Sequence, residues 1–420
     1  VADVVALTLK TSFDPQPDFL DLPWGRPLAD WPAGGFVRFP AGLHRHVVRF
    51  LAHDGTFFAL KELPNQLAQR EYEMLEFLRE QGLPAVTLTG IATERVADDG
   101  TALDDVLITR HLSYSLPYRQ LFGGPASNDL RDKCIDALVV LLARTHLVGF
   151  FWGDCSLNNA LFRRDAGALR AYLVDTETAE RHEELTAGQR ALDLEIGAEN
   201  IAGGLLDLRA EGRLADDVDP AEVADHLIGR YEALWAELTS EEEVDAEEQW
   251  RIHARLGRLN QLGFDTEEVE ISSSASGRIR FRPTVVEEGH HKRQLERLTG
   301  IVAHENQARR LLAAINSYAA WLAQQEGKAL PEALMAYRWL TERWEPTLAA
   351  IPPELRSRME DAELYHQILE HRWYLSEEAG HDVGVDAGVA SFVETVLKDR
   401  PDERRILETS ATPPSTLTGA

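Results

Sequence analysis

Apolar and polar positions alternate in short bursts after residue 46. HVVRFLAH and TFFALKEL, joined through His53-Asp54-Gly55, predict the two strands of a hairpin, and FVRFP (36–40) is a β-rich run ahead of them. The period then lengthens. In NQLAQREYEMLEFLREQ (65–81), Leu67, Tyr72, Leu75 and Leu78 recur at helical spacing, and Gly82 and Pro84 end the run. VTLTGIATERV and DVLITRHL return to strand character around an ADDG turn. A long helix is predicted over about 129–147, with Leu130, Cys134, Leu138, Leu141, Leu142 and Thr145 on one face. ALF (160–162) and LRAYLVDTE (169–177) predict a second hairpin.

From about residue 187 the pattern is largely helical. GRYEALWAELTSEEEVDAEEQWRIHARL (229–256) predicts one long charged helix, and EVEISSSASGRIRFRP (268–283) a hairpin with a flexible tip. Residues 1–35, rich in Asp and Pro and without a clear period, predict an extended lead-in; 406–420 have a disordered composition. The order predicts an α+β chain: a small β-rich lobe (36–112), a larger helical lobe (113–238) and a mostly α-helical C-terminal domain (239–405).

Composition narrows the function classes. The chain has 420 residues, 44% of them hydrophobic, enough for real cores in two or three domains. Its formal charge of -27 argues against nucleic acid and anionic membranes as partners. Cys134 and Cys155 make neither a paired framework nor a zinc spacing, which suggests a reducing compartment. There is no basic n-region followed by an apolar run, and apolar stretches fall short of the ~18–20 residues that span a bilayer. A soluble cytoplasmic protein without an integral membrane span is expected.

The chemistry-bearing residues come in a definite order. Phosphoryl transfer from a nucleotide needs a cation for the donor phosphates and a carboxylate to hold that cation. It also needs metal ligands and a further carboxylate to orient the acceptor hydroxyl. Lys61 lies near the end of an apolar strand, where a partly desolvated ammonium needs an anion. Glu71 begins the next helix, with Glu73 and Glu76 as rivals for the pairing. Asp154 and Asn159 stand five positions apart in WGDCSLNNALF, and Asp175 ends the apolar strand AYLVD. Singly, each is an ordinary strand lysine, turn residue or helix cap. Together and in this order they predict Asp154 at the acceptor hydroxyl and Asn159 and Asp175 at Mg²⁺.

ARTHLVGFFWGDCSLNNALF resembles the protein-kinase-like superfamily. It is closest to the lipopolysaccharide-kinase and aminoglycoside-phosphotransferase branches, whose pattern is L-H-x-x-G, then H-G-D, then N. His146 and Gly149 match the first part, Gly153 and Asp154 the second, and Asn159 the metal-binding asparagine. Asp175 stands at the second metal aspartate, Lys61 at the strand lysine and Glu71 at the helix glutamate. The resemblance covers roughly residues 35–235 and implies a bilobal kinase-like fold with ATP and Mg²⁺ as cofactors. It implies that Asp193 braces the catalytic loop, and that Thr109, Arg110, His111 and Leu112 form the adenine-contacting hinge. Trp152 replaces the usual histidine, and Asp175-Thr176-Glu177 the usual Asp-Phe-Gly. The phosphate loop, FPAGLHRHVV (39–48), has one glycine, Gly42, where the family often has three; His44, Arg45 and His46 then offer side-chain charge instead.

Residues about 240–400 resemble an uncharacterised bacterial domain found fused to lipopolysaccharide-kinase-like domains. The resemblance is carried by GRIRFRPTVVEEGHHKRQLERLTGI, HENQARRLLAAINSYAAWL and HRWYLSEEAGHDVGVDAGVASFVETVL. Arg278, Arg280, Arg282, His290, His291, Lys292 and Arg293 form a basic concentration, read as a solvated face pairing with the chain's own acids or as an anion-receiving surface. Trp321, Tyr337, Trp339, Trp344, Trp373 and Tyr374 are expected in the core, the alternative being a sugar platform. The predicted activity is ATP- and Mg²⁺-dependent phosphoryl transfer to a hydroxyl of a sugar, a glycan or lipid-linked sugar, or another small molecule. The alternatives are a protein Ser/Thr kinase, nucleotidyl transfer, or a non-catalytic nucleotide-binding pseudokinase, which the glycine-poor loop favours.

Overall fold

The computed structural model describes residues 7–11, 19–37, 46–53, 56–123, 128–244, 248–262, 264–273, 279–286, 289–326, 330–400 and 402–403. Gly42, His44, Arg45 and Arg278 lie outside them.

The first lobe is a six-stranded antiparallel sheet with one helix. Its strands are β1 (Thr8–Thr11), β2 (Phe36–Val37), β3 (Val47–His53), β4 (Thr56–Leu63), β5 (Thr87–Thr93) and β6 (Asp105–Arg110), in the order β1-β5-β6-β4-β3-β2. Helix α1 (Asn65–Glu80) follows β4 directly after Pro64. Strand alternation sends Leu63, Leu88, Ile91 and Leu107 into the main core beneath the sheet, beside α1. Phe58, Leu60, Val106 and Ile108 face the other way and are buried as well. Their cover is the N-terminal segment, whose Phe19, Trp24, Leu28 and Trp31 pack on that face. The segment is therefore docked, unlike the extended lead-in its composition suggested. Arg95, whose guanidinium is fully buried, fastens it by donating to the Trp24 carbonyl at 3.2 Å and to Glu62 at 2.7 Å. Glu62 in turn accepts the Leu28 N–H at 3.1 Å.

The second lobe is built on α2 (Tyr118–Phe122) and α3 (Asn128–Leu147), with the predicted Cys134, Leu138, Leu141, Leu142 and Thr145 face buried. Short strands β7 (Phe150–Phe151), β8 (Ala160–Asp165), β9 (Ala168–Leu173) and β10 (Glu180–Arg181) form two antiparallel pairs, β8 with β9 and β7 with β10. Helix α4 (Ala187–Ala210) starts from a capping box of Thr186 and Gln189, and α5 (Pro220–Thr239) from an Asp219 cap with Pro220 in its first turn.

The long helix expected over 229–256 is broken. After α5 the chain forms β11 (Glu242–Val244) and then α6 (Gln249–Gln261). The buried Arg255 ends α5 by donating to the carbonyls of Glu237 at 2.8 Å, Ser240 at 2.9 Å and Ala236 at 3.3 Å. That cap comes from a residue downstream of the break, so helical periodicity alone does not reveal it. Strands β12 (Asp265–Ser273) and β13 (Ile279–Val286) confirm the expected hairpin and take β11 as a third strand.

The C-terminal domain is helical: α7 (His290–Thr299), α8 (Glu305–Glu326), α9 (Glu332–Trp339), a π-helical turn at Leu340–Trp344, α10 (Glu345–Ala349), α11 (Asp361–Ala379) and α12 (Val385–Thr395). Trp339 and Trp344 pack on Tyr365 in its core. Trp321, Tyr337, Trp373 and Tyr374 are exposed, contrary to expectation, because they fall on the outer faces of α8, α9 and α11. In the basic stretch, Glu305 accepts the N–H groups of His291 and Lys292 at the start of α7 and lies 2.7 Å from His291 Nδ1. There the basic stretch pairs with the chain's own acid. Among the described residues no helix is long and apolar enough to cross a membrane.

Candidate active site

Lys61 projects from β4, and α1 brings Glu71 across it. Lys61 Nζ donates to Glu71 Oε2 at 2.9 Å and to Asp175 Oδ2 at 2.8 Å, with Glu177 3.8 Å away. Of the rival acids, Glu73 accepts from Gln69 and Glu76 pairs with Arg79 on the outer side of the helix. Arg70 holds α1 inward by donating from Nε and Nη2 to the Ala179 carbonyl, at 3.1 and 2.6 Å.

Asp154 and Asn159 occupy the loop between β7 and β8. Asn159 Nδ2 donates to Asp154 Oδ2 at 3.0 Å and to the Asp154 carbonyl at 3.1 Å. Asn200, from α4, donates to Asp154 Oδ1 at 3.0 Å and to the Cys155 carbonyl at 3.1 Å. Two side-chain amides thus fix the Asp154 carboxylate. Sequence reading takes Asn200, like Glu199, for a simple helix polar, since one polar residue on a helix carries no spacing signal.

Asp193 supports this loop from below. It is fully buried; its Oδ2 and Oδ1 accept the N–H groups of Trp152 and Gly153, both at 2.8 Å. His146 Nε2 lies 3.0 Å from Asp193 Oδ2. A carboxylate only accepts, so Nε2 carries the proton and Nδ1 accepts from Tyr231 Oη at 2.6 Å. Burial pushes the Tyr231 phenol up, which keeps that proton in place. Gly149 adopts φ +74°, and a Cβ there would lie 2.2 Å from the His182 carbonyl oxygen, so the residue has to be glycine. Trp152, standing where histidine is usual, donates from Nε1 to the Asp175 carbonyl at 3.0 Å and ties the two loops together.

Lys61, Asp154, Asn159 and Asp175 line one cavity of about 370 Å³, with His46, Ser156, Asn158, Glu177, Glu199 and Asp207 among its other walls. Its charge is mostly negative. His46 Nε2 lies 3.1 Å from Glu177 Oε2, a link between the lobes that the sequence left unassigned. Arg110 and His111, at and just after the end of β6, are not on this cavity. The His111 ring packs on Phe50 and Phe57, and burial pushes its pKa down to about 4.

Three carboxylates share Lys61. Burial alone would lower the lysine's pKa, but Glu71 and Asp175 reverse this and hold it above its usual value. Burial first, then Asp175, pushes the Glu71 carboxyl up to about 7. Below Glu71's ordinary value near 4.5, folded and unfolded chains both hold its proton. As pH rises from there to about 7, the unfolded chain releases the proton while the folded chain keeps it, so stability falls. The decline should be shallower in Glu71→Gln, by at most about 1.4 kcal/mol per pH unit. Urea denaturation of both proteins from pH 4.5 to 7 checks this, and parallel profiles would refute it.

Residues 48–195 match the model of the Lipopolysaccharide kinase (Kdo/WaaP) family, and residues 233–397 match the Domain of unknown function (DUF4032). No curated protein matches the chain. Among solved structures, one described as "WaaP in complex with acyl carrier protein" aligns at 16% identity, covering 54% of this chain and 88% of that chain, with a TM-score of 0.34. The kinase-like part of the chain is thus similar to the Kdo/WaaP family over residues 48–195, and the helical C-terminal part is similar to DUF4032 over residues 233–397.

Proposed function

We propose that the protein is an ATP- and Mg²⁺-dependent phosphotransferase acting on a hydroxyl of a sugar, a lipid-linked sugar or another small molecule. One observation carries the reading. Lys61, held between Glu71 and Asp175, shares a cavity with Asp154 and Asn159. On this reading Lys61 receives the donor phosphates and Glu71 orients it. Asp154, oriented by Asn159 and Asn200, accepts the proton of the acceptor hydroxyl as it attacks. Hydroxyl, amide and carboxylate groups of Ser156, Asn158, Glu199 and Asp207 suit hydrogen bonding to a polyhydroxylated acceptor.

Asn159 and Asp175 would hold magnesium. The fit is chemical: the walls around them offer oxygen donors, which suit a hard cation. Among the described residues no group of three or more His, Cys, Asp or Glu is placed to hold a metal alone. Mg²⁺ bound partly through nucleotide phosphates needs only one or two protein carboxylates. When bound, it offsets the charge on the transferred phosphoryl group. Lys61 Nζ, 2.8 Å from Asp175 Oδ2, places a second positive charge beside that carboxylate.

Thermal melting tests the reading. MgATP at about a hundredfold its Kd should stabilise the protein by about 2.7 kcal/mol. ATP without magnesium should do much less, and Asp175→Ala should abolish the difference. No shift at millimolar MgATP would favour the non-catalytic alternative, to which the single glycine of the 39–48 loop points.

A further inference from the structure

The hairpin of β8 and β9 joins the two candidate metal residues. Asn159 precedes β8 and Asp175 follows β9, and the Val174 N–H closes its base on the Asn159 carbonyl at 3.0 Å. At the far end, Asp165 pairs with Ala168 across a two-residue turn. Both turn residues have positive φ, +52° at Ala166 and +89° at Gly167. Such turns favour Asn-Gly or Gly-Gly, and alanine in the left-handed region costs about 1–2 kcal/mol. Left to itself, this tip is a poor choice of turn for its own register.

The C-terminal domain holds the tip. Ala166 N–H donates to Glu363 Oε2 of α11 at 2.9 Å. Asp165 caps α8 by accepting the Gln307 N–H at 2.9 Å and the Asn306 N–H at 3.4 Å. Gln307 Nε2 bridges the Arg164 carbonyl and Glu363, both at 3.0 Å. Arg163 reaches Glu360 at 3.2 Å, Arg164 reaches Glu403 at 2.9 Å, and Tyr172 Oη lies 3.0 Å from His304 Nδ1. Asp165, Gln307 and Glu363 are almost wholly buried, so these bonds form away from water, where leaving one unmade is costly.

We propose that the DUF4032 domain is a brace. By fixing the tip it sets the register of the hairpin, and with it the relation of Asn159 to Asp175, so its docking governs metal-dependent nucleotide affinity. The physical link is short. Each strand has six residues, or roughly 20 Å, and a one-residue slip in pairing would turn every side chain of a strand to the other face. Glu363 is then a positioning residue for a site it does not touch. The proposal rests on the kinase reading above.

The test uses the full chain, MgATP as the probe in titration calorimetry, and hydrogen exchange of the amides in 160–173. Glu363→Ala should speed exchange in the hairpin and weaken MgATP binding roughly tenfold, leaving metal-free ATP binding unchanged. Adding Ala166→Gly, which tolerates positive φ without support, should restore most of the affinity. Should Glu363→Ala not fold, Gln307→Ala carries the same expectation. Faster exchange with unchanged MgATP affinity would overturn the brace, as would unchanged exchange. A wild-type protein that fails to bind MgATP would overturn the kinase reading itself, and with it the functional role of the brace.

Discussion

Replacing Asp154 with alanine should lower turnover by about 10²–10⁴-fold while MgATP affinity and folding stay near wild type. The split follows from the wiring of the site. Asp154 is held by Asn159 and Asn200, whereas Lys61 is engaged by Glu71 and Asp175. Losing Asp154 leaves the second set whole. ATP hydrolysis without acceptor gives a first assay, and phosphate transfer a second once an acceptor is found. Asn200→Ala should fall in the same direction but less far, since Asn159 still holds the carboxylate. Unchanged hydrolysis in Asp154→Ala would refute its role as the base.

Asp193→Ala should cost about 3–5 kcal/mol of stability, the range for removing one partner of a buried charged network. Three donors lose their acceptor at once: the N–H groups of Trp152 and Gly153, and His146 Nε2. Two of them lie in the loop that carries Asp154 and the third on the last turn of α3, and Asp193 itself is fully buried. Asp193→Asn keeps one acceptor oxygen and should lose less. Urea midpoints read both effects. A loss below about 1 kcal/mol in the alanine variant would mean that the loop is held by other contacts.

Much of this site was legible in the sequence. Asp154, Asn159 and Asp175 sit in or beside short segments where spacing along the chain is nearly spacing in space. Glu71 was harder, with Glu73 and Glu76 close by, yet helical phase separates them. Glu71 lies three residues after Ala68 and four before Leu75, on the buried face, while Glu73 is exposed. Asp193 is distant in sequence from the loop it holds, and only the resemblance pointed to it; Lys61 stood out on its apolar strand, whereas its contact with Asp175, 114 positions away, did not. Asn200, the His46–Glu177 link and the Arg255 cap were not legible, because each is one side chain meeting a backbone or a loop from another element. The hairpin tip gave no warning either. Ala166-Gly167 looks like a weak turn until the helices that stabilise it are in place.

The docked N-terminal segment bears on where the folding unit begins. The family match starts at residue 48, inside β3. A chain cut there would lose Trp24, Leu28 and Trp31, and Phe58, Leu60, Val106 and Ile108 would meet water as a continuous apolar surface. Arg95 would keep its charge in a site that has lost the Trp24 carbonyl, and Glu62 would lose the Leu28 N–H. The span matched by the family model is thus shorter than the span that closes the sheet's outer core, which reaches back to the tryptophans.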